Sequence, residues 1–250
     1  MHNPPPHPKF SIITVTYNAA AVLEDTIQSV ISQTYRNVEY IIVDGQSTDG
    51  TPDIIAKYKK HIHQIVCEPD KGLYDAINKG ISLATGDYLC FLNAGDALHE
   101  DDTLQLMVHT LQGGELPDVL YGETEIVDEQ GHFLQMRRLS APEHLHWKSF
   151  KQGMLVCHQA FFARRELAVG TPYALQYRFS ADFDWCIRIM KQAKTLHNTH
   201  LTVIDYLNEG MTTRNHKASL CERFHIMVKH YGFISTAVHH AWFVLRLFCK

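Results

Sequence analysis

One carboxylate, Asp96, closes a run whose character changes three times. From Glu68 the chain passes through a polar loop, Glu68-Pro-Asp-Lys-Gly72, then a helical stretch, then a short strand at Tyr88 to Leu92, and stops in Asn93-Ala94-Gly95-Asp96. Tyr74, Ile77, Ile81 and Ala84 recur at three- and four-residue steps and so share one helix face, with Gly86 at the position of a C-terminal cap. A carboxylate at the carboxyl end of a strand sits where open α/β sheets bind ligands. The competing reading is an N-cap for a helix starting near Glu100. A second polar constellation, Ser180-Ala-Asp-Phe-Asp-Trp185, opens another helix and brings two more carboxylates, Asp182 and Asp184.

The elements that position these groups alternate. Phe10 to Thr16 is β-branched and almost continuously apolar, as a strand buried on both faces requires, and it ends at Tyr17-Asn18. Val22/Leu23, Ile27 and Val30/Ile31 follow helical spacing. A second strand, Val38 to Val43, runs into Asp44-Gly-Gln-Ser-Thr-Asp-Gly-Thr51, and Pro52 opens the next helix. A third strand spans His63 to Cys67. Strands alternating with helices imply right-handed βαβ units and a mostly parallel sheet of nucleotide-binding type over residues 10–112.

Beyond Gly113-Gly114 the pattern changes. Val119 to Val127 and Phe133 to Arg138 flank a turn at Asp128-Glu-Gln-Gly131, which makes a hairpin and a mixed sheet in residues 113–210. Thr195 to Tyr206 is a last strand. Residues 211–250 read as two helices broken at Gly232, the second with Val238, Ala241, Trp242, Leu245 and Phe248 on one face. That face either packs on the domain or lies on a membrane surface; it is too short to span one. Residues 1–9, rich in proline, read as a disordered tail.

Composition excludes several classes. With 45% hydrophobic and 20% charged residues and a net charge of -4, the chain is globular and lacks a basic footprint for nucleic acid. Neither G-x-G-x-x-G nor G-x-x-x-x-G-K-[ST] occurs, which argues against an NAD or FAD enzyme and against a P-loop. The six cysteines form no C-x-x-C pair and suit a reducing compartment, and no apolar leader follows Met1. The 17 histidines include no pair with acidic or thiolate neighbours at zinc-site spacing.

Taken in order, Ser11-Ile-Ile-Thr-Val-Thr-Tyr-Asn18, Asp44 to Thr51, Asp70-Lys-Gly-Leu-Tyr-Asp-Ala-Ile-Asn-Lys-Gly80, Phe91-Leu-Asn-Ala-Gly-Asp96, His158-Gln159 and Ala181-Asp-Phe-Asp184 resemble glycosyltransferase family 2. The likeness spans residues 10–205 and is nearest to bacterial members that build surface polysaccharides, lipopolysaccharide among them. It implies the GT-A fold, a Rossmann-like and mostly parallel sheet with helices on both faces, a mixed acceptor half and C-terminal helices. It also implies a nucleotide-sugar donor, a divalent cation (Mg²⁺ or Mn²⁺) and inversion at the anomeric carbon.

Under that resemblance Thr16, Tyr17, Asn18, Asp44, Lys71 and Asn93 are the nucleotide-binding set. Tyr17 stacks on the base, expected to be uracil, Asp44 accepts from a base N–H, and Lys71 meets the ribose or pyrophosphate. Ser47 and Asp49 shape the loop. Asp96 is the metal ligand, with His158 as a weaker one, and Asp182 is the general base. Asp75, His158, Gln159, Asp184 and Trp185 line the donor-sugar or acceptor pocket; Trp147, Phe150 and Trp185 are sugar platforms or core.

Two departures stand out. Asn93 and Gly95 replace acidic positions of the family's D-x-D-D motif, and Ala181 replaces the acidic residue before Asp182. The expected activity is transfer of a hexose or N-acetylhexosamine from a UDP-sugar to a hydroxyl of a growing glycan or lipid-linked acceptor, in the cytoplasm or at the inner face of the cell membrane. The thinned metal motif leaves one alternative open, a catalytically inactive sugar-nucleotide-binding partner in a glycan-assembly complex.

Overall fold

The computed structural model describes residues 7–111, 115–208 and 216–248. Its centre is a nine-stranded sheet in the order β3-β2-β1-β4-β8-β6-β9-β5, with β7 paired to β6. Strands β1 (Phe10–Thr16), β2 (Val38–Asp44), β3 (Gln64–Cys67) and β4 (Tyr88–Phe91) are parallel neighbours. All seven residues of β1 are buried, as its unbroken apolarity requires, because helices cover both faces. Those helices are α1 (Leu23–Ile31), α2 (Thr51–Tyr58) and α3 (Leu73–Leu83). Each buries one stripe, Leu23, Ile27 and Val30 in α1 and Tyr74, Ile77 and Ile81 in α3. The parallel order puts the carboxyl ends of β1, β2 and β4 on one edge.

The second half is mixed, as expected. β6 (Val119–Val127) runs parallel to β9 (Leu196–Leu207) and antiparallel to β7 (Phe133–Met136) and β8 (Phe161–Arg164). β8 also pairs antiparallel with β4 and so joins the halves into one sheet. The two-residue β5 (Ala97–Leu98) adds to β9. Helices α4 (Thr103–Thr110), α5 (Arg165–Val169) and α6 (Ala181–Met190) follow, and α7 (His216–Tyr231) and α8 (Phe233–Phe248) close the chain. The break between the last two is at Gly232, whose φ is 81°.

The core is aromatic where the halves meet. Phe10 stacks on Tyr88 at 5.8 Å and meets Phe162 edge-on at 6.0 Å. A buried carboxylate, Glu39, fastens the amino-terminal edge: it accepts from Ser11 Oγ at 2.6 Å and from Thr85 N and Oγ1, both at 2.7 Å, and pairs with Lys9 Nζ at 3.3 Å.

Three expectations are corrected. Gly86 is not a helix cap: α3 ends at Leu83, and a Cβ at Gly86 would lie 2.7 Å from the Lys9 carbonyl, so close backbone approach to β1 demands glycine. Of the expected disordered tail, residues 1–6 lie outside the described residues, but Pro8 is buried and accepts from Tyr35 Oη at 2.7 Å. Asp96 does not cap α4, which starts only at Thr103. The expected helix end at Gly113-Gly114 also lies outside the described residues.

Candidate functional site

The first wall of the site is the loop after β1 stitched to the loop after β2. Asn18 takes a left-handed φ of 49°, which a short amide side chain tolerates. Its N–H donates to Ser47 Oγ at 2.8 Å, and its Oδ1 accepts from Thr48 N at 2.9 Å. Asp49 accepts from Ala20 N at 3.1 Å and Thr51 N at 3.0 Å. Ser47 and Asp49 therefore shape the loop, as expected. The result leaves the Tyr17 ring 64% exposed at the end of its strand, an open aromatic face. The Thr16 hydroxyl is buried nearby without a partner.

Asp44 has no exposed surface, and its oxygens accept from Ser47 N at 2.9 Å, from Ser47 Oγ and from Cys67 Sγ at 3.2 Å. Its visible work is to hold the 44–51 loop. The sequence reading missed Asp70, which closes on Gly45 together with the Tyr17 ring. Asp70 Oδ1 accepts from Gly72 N at 2.7 Å, an Asx turn that the spacing Asp-x-Gly advertises. Asp75 accepts from the backbone N–H of Lys71 at 3.0 Å, which sets the loop and leaves the Lys71 side chain exposed.

Asp96 sits at the tip after β4. Gly95 takes φ of 102°, and a Cβ there would lie 2.8 Å from Leu207 Cδ2. That explains why glycine replaces an acidic residue at this point. The tip is held by Thr26 of α1, which accepts from Gly95 N at 2.9 Å and donates to the Asp96 carbonyl at 2.8 Å. The Asp96 side chain is only 4% exposed; Oδ2 accepts from Gln159 Nε2 at 2.7 Å and Oδ1 from Leu207 N at 3.2 Å. Burial pushes its pKa up to about 7, against hydrogen bonds from Gln159 and Leu207 that favour the charged form.

The opposite wall carries Asp182 in the first turn of α6. Its side chain is 18% exposed, and His158 Nδ1 lies 3.9 Å from Oδ2. Tyr74 Oη donates to Oδ1 at 3.2 Å, a partner that a separation of 108 residues hid from the sequence reading. Burial lowers the pKa of His158, while the Asp182 charge pulls the other way. His158 and Gln159 belong to one 3-10 turn, His158–Ala160. Consecutive residues therefore touch the two carboxylates, Gln159 at Asp96 and His158 at Asp182.

Two expected ligand contacts are corrected. Asp184 is 0% exposed and its oxygens are taken by Arg188 Nε at 2.6 Å, His230 Nε2 at 2.8 Å and Lys229 Nζ at 3.1 Å. Although burial opposes its charge, these partners hold the carboxyl well below the usual range. It is an anchor for α7. Trp185 is fully buried, stacked on Tyr173 at 4.9 Å and edge-on to Phe91 at 5.3 Å, and offers no face to a sugar. Phe150 is likewise core, and Trp147 stacks on Tyr231 at 5.5 Å.

The donor atoms suit a hard divalent cation. Asp96 is a buried carboxylate that receives no compensation from a cationic side chain among the described residues, and Asn93 Oδ1 and His158 Nε2 are buried atoms without partners. A second cluster, His99, Glu125 and Asp205, joins β5, β6 and β9 and went unforeseen. There His99 Nδ1 lies 2.7 Å from Asp205 Oδ1 and 3.9 Å from Glu125 Oε2.

A parallel first half, a carboxylate at its strand-end edge and a mixed second half define a GT-A glycosyltransferase. The family model described as Glycosyl transferase family 2 matches residues 11–169, and the chain belongs to that family. It is 38% identical over 209 residues to the "PGL/p-HBAD biosynthesis glycosyltransferase" of Mycobacterium bovis strain BCG, covering 81% of this chain and 78% of that protein. It is 30% identical over 196 residues to the amylovoran biosynthesis glycosyltransferase AmsB of Erwinia amylovora, covering 73% and 64%. Among solved structures, S. aureus TarS 1-349 in complex with UDP-GlcNAc superposes with a TM-score of 0.71 at 16% identity, covering 96% of this chain and 73% of that one. The mannosyltransferase PcManGT of Pyrobaculum calidifontis, in complex with GDP-Man and Mn²⁺, gives 0.66 at 15% identity, covering 96% and 76%.

Proposed function

We propose that this glycosyltransferase moves a hexose or N-acetylhexosamine from a UDP-sugar to a hydroxyl of a growing glycan or lipid-linked acceptor, with inversion. The observation that carries the reading is the bridge of consecutive residues: Gln159 on Asp96 and His158 on Asp182, at 2.7 and 3.9 Å. Two carboxylates in unlike settings suit unlike tasks. Asp96, buried and held by two donors, is fixed in place, whereas Asp182, partly open in the first turn of α6, is free to take a proton.

Tyr17 stacks on the nucleobase, with Asp70 and Asn18 shaping the wall around it. The UDP-GlcNAc bound to TarS supports a uridine donor. Asp96, with Asn93 and His158 as neutral partners, would hold Mg²⁺ or Mn²⁺, in keeping with the Mn²⁺ of PcManGT. Such an ion neutralises pyrophosphate charge and improves the leaving group. The acceptor hydroxyl attacks the anomeric carbon, the bond from that carbon to the phosphate oxygen breaks, and the nucleoside diphosphate departs. The hydroxyl proton passes to Asp182, with Tyr74 Oη and His158 keeping the carboxylate in place. Work in the cytoplasm, at the inner face of the cell membrane through the C-terminal helix, belongs to the same reading.

The test is titration calorimetry of the protein with UDP, with and without Mn²⁺, beside the same titration on Asp96→Ala. Metal-dependent binding lost in the variant supports the donor site. Binding without transfer from any UDP-sugar would favour an inactive binding partner, and no UDP binding by folded protein would overturn the uridine assignment.

A further inference from the structure

Five large apolar side chains stand out of α8. Phe233 is 64% exposed, Ile234 80%, Val238 62%, Trp242 60% and Leu245 57%. At ~100° per residue, Ile234, Val238, Ala241, Trp242 and Leu245 fall within one sector of about 100°. The opposite face is used inside the protein. Thr236 is buried, and His240 and Phe243 pack on α7 and on each other, with Phe224 and His240 rings 5.0 Å apart and His240 and Phe243 5.4 Å apart. The stripe is therefore turned away from the domain that α8 packs against.

Charge says what covers it. Residues 211–250 contain six lysines and arginines against one acidic residue, Glu222, a net of +5; the remaining 210 residues of this chain of net -4 therefore carry -9. The net positive charge is confined to the segment with the apolar stripe, although Lys229 is paired with Asp184, and α8 itself contains no acidic residue. An apolar, tryptophan-bearing stripe in a basic segment matches an anionic bilayer surface, whose headgroups attract lysine and arginine while acyl chains take the stripe. At 16 residues α8 is too short to cross, and no described helix is long and apolar enough to do so.

We propose that α8 lies in the surface of an anionic phospholipid bilayer, with Ile234, Val238, Trp242 and Leu245 inserted. This deepens the reading of a membrane-apposed transferase and rests on it only for the lipid-linked acceptor; the docking stands on the stripe and the charge. The acceptor consequence follows from α7, which leads into α8 and holds the start of α6. Glu222 accepts from Arg178 N and Phe179 N, both at 2.8 Å, just before the helix that carries Asp182. The helix proposed to meet lipid is thus joined directly to the one that frames the proposed base.

The experiment is flotation of the full chain with vesicles of phosphatidylcholine containing 30% phosphatidylglycerol (a ratio of about 7:3, chosen to mimic an anionic leaflet), and with phosphatidylcholine alone. Binding to the anionic vesicles, weakened by salt, is the expected result. The variant Ile234→Ser/Val238→Ser/Trp242→Ser should bind roughly 100-fold more weakly while titrating UDP as the parent does. Tryptophan emission should shift to the blue on adding anionic vesicles, and that shift should vanish in Trp242→Phe. No vesicle binding by the parent, or undiminished binding by the triple variant, overturns the proposal. So does a dimer in sedimentation that the triple substitution dissociates without any vesicle binding, since a second copy would then own the stripe. Vesicle binding with no UDP binding would leave the docking intact and remove the donor site.

Discussion

Gln159 Nε2 donates to Asp96 Oδ2 at 2.7 Å, a side-chain hydrogen bond to a carboxylate only 4% exposed. It joins residues 63 apart in sequence and holds one oxygen of Asp96 while the backbone N–H of Leu207 holds the other. Replacing Gln159 by leucine removes that donor while keeping the bulk, which leaves the buried carboxylate dependent on the backbone N–H of Leu207. A lost partner of this kind typically lowers metal affinity by about 10–100-fold. Calorimetry should show that loss in the Mn²⁺-dependent part of UDP binding, with metal-free binding unchanged. Equal weakening of both would place Gln159 against the nucleotide instead.

Asp182 and Asp96 should separate cleanly in kinetics. Asp182→Asn retains the hydrogen-bond geometry but cannot take a proton, so transfer should fall by about 10²–10⁴-fold with UDP affinity preserved. Tyr74→Phe, which removes only the hydroxyl 3.2 Å from Asp182 Oδ1, should cost far less and shift the pH profile. Full transfer activity in Asp182→Asn would exclude it as the base.

The motifs were legible because they occur in order, and three of them, at Tyr17-Asn18, Asp44 and Asn93 to Asp96, fall at the carboxyl ends of β1, β2 and β4. Gly95 shows why the metal motif was harder. Its departure from the family pattern reads in sequence as a weakened site, whereas a φ of 102° and the approach of Leu207 show a backbone that excludes other residues. Gly95→Asp, which restores the acidic pattern, should therefore lower stability by about 1–3 kcal/mol in chemical denaturation and leave Mn²⁺ affinity no higher. Asp184 was misread for another reason. Two residues along a helix is a rotation of about 200°, so Asp182 and Asp184 face opposite ways, one to the cleft and one to α7. Sequence spacing alone gives no origin for that rotation. The Tyr74 and Gln159 contacts were hidden because only the assembled fold brings α3 to α6 and the turn before β8 to the tip after β4.

Glu39 makes stability depend on acid. Burial opposes its charge, but hydrogen bonds from Ser11 and Thr85 and the nearby Lys9 outweigh it and hold the carboxyl at about 2, against 4.5 ordinarily. A depressed folded value means that the unfolded chain binds the proton first. The contribution is complete above pH 4.5 or so and is lost as pH falls toward 2; at 1.36 kcal/mol per unit it is at most about 3 kcal/mol. Glu39→Gln should flatten the urea midpoint between those pH values and lower it at neutral pH. An unchanged acid limb would assign the loss to other carboxylates.

The C-terminal helices should matter to catalysis without touching substrate. Glu222 on α7 takes the N–H groups of Arg178 and Phe179, and Ser219 lies 2.9 Å from the hydroxyl of Ser180, so the chain entering α6 is held by α7. Removing Glu222 frees two amides and loosens the residues immediately before Ala181-Asp182. Small misplacement of a reacting group costs on the order of 10- to 100-fold, because the attack geometry is met less often. Glu222→Ala should therefore lower kcat by that order while the KM for the donor stays nearly constant, since Tyr17 and Asp96 are positioned by other elements. Glu222→Gln retains one acceptor oxygen and should recover part of the rate. A loss shared equally by kcat and donor KM would indicate general unfolding, and no loss at all would mean that α6 holds its first turn without help from α7.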